Sequence, residues 1–268
     1  MSRRKTDAFA ERRNARSVFW WLAVATVLIS NGCFAFPRKA VAPIPTLKEP
    51  LQDGARADTL IVFLPGRGDS VDAYRKQGMT AIVRDVGVRA DMVTVDAHLG
   101  YYYARTIAGR LREDVIRPAR ASGYRRIVVV GISLGGLGAL LYEREHPGEV
   151  EAIVLLSPYL GKENDLFSRI EHAGGPVKWA AGRAASEGGV EEQIWSFIGN
   201  ASRRLPPMWL AYGDRDSFRR GHAMLAGLLP AERVRVVTGG HDWATWQELW
   251  TWACAETDLF EGRGSGKR

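Results

Sequence analysis

A serine hydroxyl is a weak nucleophile until a base takes its proton, and that base needs a carboxylate to fix its tautomer and stabilise the cation it becomes. The chain sets Ser133 in Gly131-Ile132-Ser133-Leu134-Gly135-Gly136, directly after the apolar run Ile127-Val128-Val129-Val130 and before Leu137-Gly138-Ala139-Leu140-Leu141-Tyr142. A buried strand running into Gly-x-Ser-x-Gly and then a small-residue helix predicts a sharp turn that lifts the hydroxyl clear of a sheet edge. The flanking glycines suit such a turn, because its neighbours pack too closely for side chains.

Partners for Ser133 are expected at the carboxyl ends of later strands, in the order serine, acid, histidine. Gly213-Asp214-Arg215-Asp216 follows the apolar run 208–212, and Gly239-Gly240-His241 follows 234–237. Asp216 is the expected acid, since Gly-x-x-Asp leaves the loop room to turn back towards His241. Asp214 stays open as an alternative, with a turn-holding role or a pairing with Arg215 as its other use. Asp242 reads as a helix N-cap. His98 is the competing base and could line a pocket with Tyr101, Tyr102 and Tyr103, but it precedes Ser133 in the chain. His146 falls at the opposite end of the sheet, and His172 and His222 are expected to be exposed. For a developing oxyanion the N–H of Leu134 is one expected donor. The N–H of Arg67, in Pro65-Gly66-Arg67-Gly68-Asp69, is the other. The Arg67 guanidinium could also meet an anionic substrate group, and Asp69 and Ser70 read as N-caps of the next helix.

These residues need a scaffold that collects strand ends along one rim. Apolar strand patterns at 59–64, 91–96, 126–130, 152–156, 208–212 and 234–237 alternate with helical patterns at 70–86, 104–121, 134–145, 217–228 and 243–254. Such alternation predicts an α/β fold, a mainly parallel sheet flanked by helices. Continuously apolar strands agree with a sheet covered on both faces. Residues 159–207 interrupt the pattern after the fourth predicted strand. They carry helical patches, with Val190, Ile194, Trp195, Phe197 and Ile198 on one face, and read either as a lid or as helices packed at the sheet edge. Trp243, Trp246 and Trp250 form a helical stripe that reads as core.

With those motifs in place the chain, over about 58–254, resembles the α/β-hydrolase superfamily. Gly239-Gly240-His241-Asp242-Trp243-Ala244-Thr245-Trp246 is similar to the histidine loop of carboxylesterases related to esterase D and the mycolyltransferases. The resemblance implies serine hydrolysis or acyl transfer through an acyl-enzyme, on a small-molecule or lipid ester and without a cofactor. Pro65 stands where many relatives have histidine. The fold hosts esterases, lipases, thioesterases, peptidases and transferases, so the substrate does not carry over.

Length and charge bound the rest. The 268 residues suit one large domain, and the net charge of +7 resides largely in residues 1–36, which carry six basic side chains against Asp7 and Glu11. No basic cluster marks the folded part as a nucleic-acid surface. The basic stretch, the apolar run 18–29 and Ser30-Asn31-Gly32-Cys33 read as an export leader for residues 1–36: a cleaved signal, a lipid anchor at Cys33, or an uncleaved membrane anchor. Each version places the domain outside the cytoplasm. Proline-rich 37–57 reads as an extended linker, 58–256 as the catalytic domain with its insertion at about 159–207, and 257–268 as a disordered tail. Cys33 and Cys254 offer no internal disulfide framework once the leader is removed or lipidated. The histidines lack a metal-ligand spacing such as His-x-x-x-His.

Overall fold

The structure is a computed structural model that describes residues 38–51, 57–162, 165–184, 186–201 and 205–260. The expected leader lies outside these residues, and the elements below belong to one compact unit beginning at Lys39. Seven strands form a single sheet: β1 (Thr46–Glu49), β2 (Thr59–Leu64), β3 (Asp91–Val95), β4 (Arg126–Ile132), β5 (Ala152–Leu156), β6 (Met208–Gly213) and β7 (Val234–Val237). Their order is β1-β3-β2-β4-β5-β6-β7, with β1 antiparallel to β3 and every other pair parallel. All parallel neighbours deliver their carboxyl ends to the same rim.

The period-two alternation of side chains divides the core. Leu60, Val62, Leu64, Val129, Leu155 and Leu210 face one layer of helices, while Ile61, Phe63, Val128, Val130, Val154 and Trp209 face the other. In chain order the helices are α1 (Ala73–Lys76), α2 (Met79–Asp85), α3 (Leu99–Tyr103), α4 (Ile107–Leu111), α5 (Arg117–Ala121) and α6 (Leu134–Glu145). They continue with α7 (Asp165–His172), α8 (Pro176–Ala180), α9 (Val190–Ala201), α10 (Arg219–Ala226) and α11 (Trp243–Ala255). Trp246, Leu249 and Trp250 of α11 are buried against Phe63 and Tyr74, so the tryptophan stripe is core.

Two predicted helices are interrupted. The segment 70–86 breaks at Gly78, whose φ of 70° only glycine adopts without strain, and resumes as α2. The segment 104–121 carries a wide π-helical turn at Arg112–Ile116, just ahead of Pro118, which has no N–H to continue the regular ladder.

Two domain boundaries are corrected. The stretch expected to be a linker contains β1, and Ile44 is 3% exposed, because the backbone of β3 supplies a pairing edge that short polar Thr46-Leu47-Lys48-Glu49 does not advertise. The expected disordered tail begins too early: Leu259 is fully buried, its carbonyl is held by Arg126, and Phe260 packs on Trp250. Between β5 and β6 the chain forms α7, α8 and α9. Their apolar faces, including Phe167, Ile170, Ile194 and Trp195, are part of the main core, and the Trp195 indole donates to the Leu160 carbonyl at 2.9 Å. The three helices pack on one another, and α9 also packs on α6.

Candidate active site

Ser133 follows β4 and precedes α6 with φ 50° and ψ −112°, a conformation that strains any residue bearing a Cβ. The surroundings hold it there. A Cβ on Gly131 would run into the backbone of Gly135, one on Gly135 into the Leu64 carbonyl, and one on Gly136 would lie 2.6 Å from the Pro158 Cβ. The Ser133 N–H donates to the Leu156 carbonyl at 3.1 Å, and its own carbonyl accepts from Gly136, Leu137 and, at 2.8 Å, Tyr159. The strand-turn-helix reading of Gly-x-Ser-x-Gly is the local structure found.

His241 and Asp216 reach this residue from two later loops. Ser133 Oγ lies 2.9 Å from His241 Nε2, and His241 Nδ1 lies 2.8 Å from Asp216 Oδ2. The imidazole is set edge-on between the rings of Phe218 and Trp246, each 5.0 Å away, which limits its rotation. Asp216 is fully buried. Burial alone would raise its pKa, but hydrogen bonds from His241 and from the Phe218 N–H at 2.8 Å outweigh that and hold the carboxyl below its ordinary value.

Asp214, the alternative acid, is turned elsewhere. Its Oδ1 accepts from the Gly239 N–H at 3.1 Å and lies 3.7 Å from the Arg215 guanidinium, so it braces the two loops against each other. Asp242 caps α11 by accepting from the Thr245 N–H at 3.0 Å. The expected caps Asp69 and Ser70 are a correction: α1 begins at Ala73, after Asp72, and the Ser70 hydroxyl donates to the Asp72 carboxylate.

Of the two expected oxyanion donors, Leu134 directly follows the serine and Arg67 lies in the loop after β2. Leu134 carries the first N–H of α6, a group with no intrahelical acceptor. Pro65 and Gly66 are buried beside Ser133: a Cβ built on Gly66 would lie 3.7 Å from the Ser133 Cβ. Arg67 follows on the exposed crest of that loop, ahead of Gly68 with φ 89°. The tyrosines after β3 divide. Tyr101 is buried and donates to the Val41 carbonyl, Tyr102 donates to the Leu134 carbonyl at 3.0 Å, and Tyr103 is exposed. His98 caps α3 by accepting from the Gly100 N–H at 3.1 Å, and its ring lies against Tyr101.

Sequence reasoning missed a buried group behind the acid. His222, expected to be exposed, is fully buried, with Nε2 2.8 Å from the Pro158 carbonyl. A carbonyl only accepts, so Nε2 carries the proton and the buried Nδ1, which has no hydrogen-bond partner, does not. Burial pushes the His222 pKa down to about 4, partly opposed by the Asp216 charge. The Ser157 hydroxyl adjoins the same carboxylate, close enough to stabilise its charge but outside ordinary hydrogen-bond geometry. The one available signal was Ser157-Pro158-Tyr159 following a predicted strand at the catalytic rim. Among the described residues no three His, Cys, Asp or Glu side chains converge as metal ligands, and no helix is long and apolar enough to cross a membrane.

Comparison with known proteins places this geometry in context. The model of the esterase family matches residues 53–255. The 2-hydroxy-6-oxononadienedioate/2-hydroxy-6-oxononatrienedioate hydrolase of Comamonas testosteroni is 29% identical over 135 residues, which are 46% of this chain and 44% of that protein. The chain therefore matches less than half the length of that curated relative. Among solved structures, Est1E of Butyrivibrio proteoclasticus with ferulic acid bound superposes with a TM-score of 0.53 at 14% identity, covering 80% of this chain and 93% of that one. The S-formylglutathione hydrolase FrmB of Staphylococcus aureus gives 0.50 at 14% identity, over 75% of this chain and 80% of that one. At such identities the likeness is one of fold, the α/β-hydrolase fold.

Proposed function

Because the chain belongs to the esterase family, we propose that it is a serine hydrolase that cleaves carboxylic esters with Ser133 as nucleophile, His241 as base and then acid, and Asp216 as the orienting carboxylate. The observation that carries this reading is the continuous hydrogen-bond chain from Ser133 through His241 to a buried Asp216. As the Ser133 oxygen bonds to the ester carbon, its proton passes to His241 Nε2, and the Asp216 charge stabilises the imidazolium. The carbonyl oxygen becomes an oxyanion facing the Leu134 and Arg67 N–H groups, each such donor being worth about 10²–10³ in rate. Collapse breaks the bond to the alcohol oxygen, which takes the proton from His241. Water then attacks the acyl-enzyme by the same steps, releasing the acid and restoring the serine.

The substrate class supported is a small-molecule or lipid ester, and no residue of this scheme requires a cofactor. The basic and then apolar leader supports action outside the cytoplasm, with attachment to the membrane through the N-terminus; fractionation of cells expressing the full chain tests that location. For the chemistry, a fluorophosphonate probe is expected to label Ser133, with p-nitrophenyl esters of graded length hydrolysed by the unmodified protein. Parallel product analysis with an added alcohol separates hydrolysis from acyl transfer. A folded protein that neither reacts with the probe nor turns over any ester defeats the reading.

A further inference from the structure

The loop that carries Arg67 also carries a carboxylate that the scheme above does not use. A Cβ built on Gly66 would lie 2.8 Å from Asp69 Oδ2 and 3.7 Å from both the Ser133 Cβ and the Ile132 Cγ2, so the carboxylate and the nucleophile adjoin the same small space beside a bare glycine. Asp69 is half-buried, and it forms no ion pair among the described residues. Its contacts are local: its N–H donates to the Gly66 carbonyl at 3.3 Å, and the Gly66 N–H lies against its carboxylate. The Arg67 guanidinium, its nearest cation in sequence, is exposed and not paired with it. The other titratable neighbour is the Tyr74 phenol, which donates to the Leu64 carbonyl. Burial raises the Asp69 pKa, as expected of a carboxylate removed from water without a counter-ion.

An uncompensated carboxylate beside an oxyanion site opposes the reaction, because two negative charges approach each other as the tetrahedral intermediate forms. A substrate that brings its own positive charge to that position removes the conflict and restores a countercharge to Asp69. We propose that Asp69 is a specificity residue selecting esters that carry an ammonium or quaternary ammonium group close to the scissile carbonyl. The inference rests on the Ser133 hydrolase reading and narrows its substrate class.

The test uses the full-length protein with butyrylcholine, its uncharged carbon isostere 3,3-dimethylbutyl butyrate and the anionic 2-sulfoethyl butyrate. The ethyl ester of betaine places the cation on the acyl side instead, with ethyl 3,3-dimethylbutanoate as its neutral counterpart, so the two arms distinguish where the charge is read. At least one cationic ester is expected to exceed its neutral counterpart in kcat/KM by about tenfold at low salt, the margin shrinking as salt screens the pair. Asp69→Asn is expected to bring that ratio close to one. Equal rates for charged and neutral esters in the unmodified protein, a preference for the sulfonate ester, or a ratio unchanged in Asp69→Asn overturns the proposal. The first two need no variant to fold. Failure of the hydrolase reading looks different: no ester of any charge is turned over and Ser133 resists the fluorophosphonate.

Discussion

The Tyr159 N–H donates to the Ser133 carbonyl at 2.8 Å, so the segment leaving β5 holds the strained residue that follows β4. The same short segment meets the acid loop. The Ser157 N–H donates to the Ala211 carbonyl at 2.8 Å, the Ser157 side chain adjoins Asp216, and the Pro158 carbonyl is held by His222. Three consecutive residues thus link the nucleophile turn to the carboxylate that must stand behind His241.

This strut makes His222 a positioning residue. His222→Phe removes the donor to Pro158 while keeping a ring of similar bulk, and misplacement by about 1 Å can cost about 10²-fold in rate. We expect kcat to fall by about 10- to 100-fold with KM little changed, and His222→Gln, whose amide can donate from a similar place, to recover most of it. A purely structural role would instead lower the melting temperature in both variants and leave the kcat of the folded fraction intact.

His222 also predicts how stability follows pH. Its folded pKa is lowered to about 4, below the ordinary 6.5, so between these values the unfolded chain binds a proton that the folded chain refuses. Stability therefore falls as pH drops from about 6.5 to about 4, by about 3 kcal/mol at about 1.4 kcal/mol per unit. Denaturant titrations across this range should give a visibly flatter profile for His222→Gln than for the parent; parallel profiles refute the assignment.

The two aspartates should separate cleanly. Asp216→Asn keeps the shape but loses the charge behind His241, and is expected to lower kcat by about 10³- to 10⁴-fold. Asp214→Asn, which alters a brace on Gly239, is expected to cost less than about tenfold. Because the Asp216 pKa is held low, its stabilising effect is complete above the unfolded value of about 3.9 and is lost as pH falls through the folded value. Below about pH 4 the parent should therefore lose melting temperature more steeply than Asp216→Asn.

Ser133 is expected to be chemically necessary and conformationally costly. Ser133→Ala should lower turnover by about 10⁴- to 10⁶-fold. Ser133→Gly should be equally inactive yet more stable than Ser133→Ala, by about 1 kcal/mol, because glycine accepts φ 50° without the 1–3 kcal/mol strain of a Cβ. Thermal unfolding of the two variants side by side decides this, and equal midpoints would mean the turn is not strained.

Removing the Tyr102 hydroxyl addresses the start of α6. Tyr102→Phe leaves the Leu134 carbonyl without that donor and should cost about 1 kcal/mol of stability. If Tyr102 also steadies Leu134 as an oxyanion donor, kcat falls several-fold with KM unchanged; an unaltered kcat confines it to packing.

Much of the scaffold was legible because its signals are local. The runs Leu60-Ile61-Val62-Phe63-Leu64 and Ile127-Val128-Val129-Val130 are apolar at every position, as only strands covered on both faces need to be. Ser133 and Asp216 each followed such a run, and His241 followed the mixed run Val234-Arg235-Val236-Val237, which placed all three at one rim before any distance was known. β1 escaped because its evidence is the exposed edge of β3, not its own side chains. Leu259 escaped because a lone leucine in a polar tail is buried only once Arg126 and Trp250 are already in place.

What the chain by itself determined was therefore the alternating scaffold, the turn that carries Ser133 and the pair of loops from which its partners come, since each depends on neighbours a few residues away. The sequence favoured Asp216 over Asp214 without closing the alternative, and the direction each side chain takes, the burial of His222 and the approach of Asp69 to Ser133 were decided by tertiary structure. Those outcomes depend on where loops from distant strands pack and which way their side chains then have room to point, and a one-dimensional pattern does not contain that information.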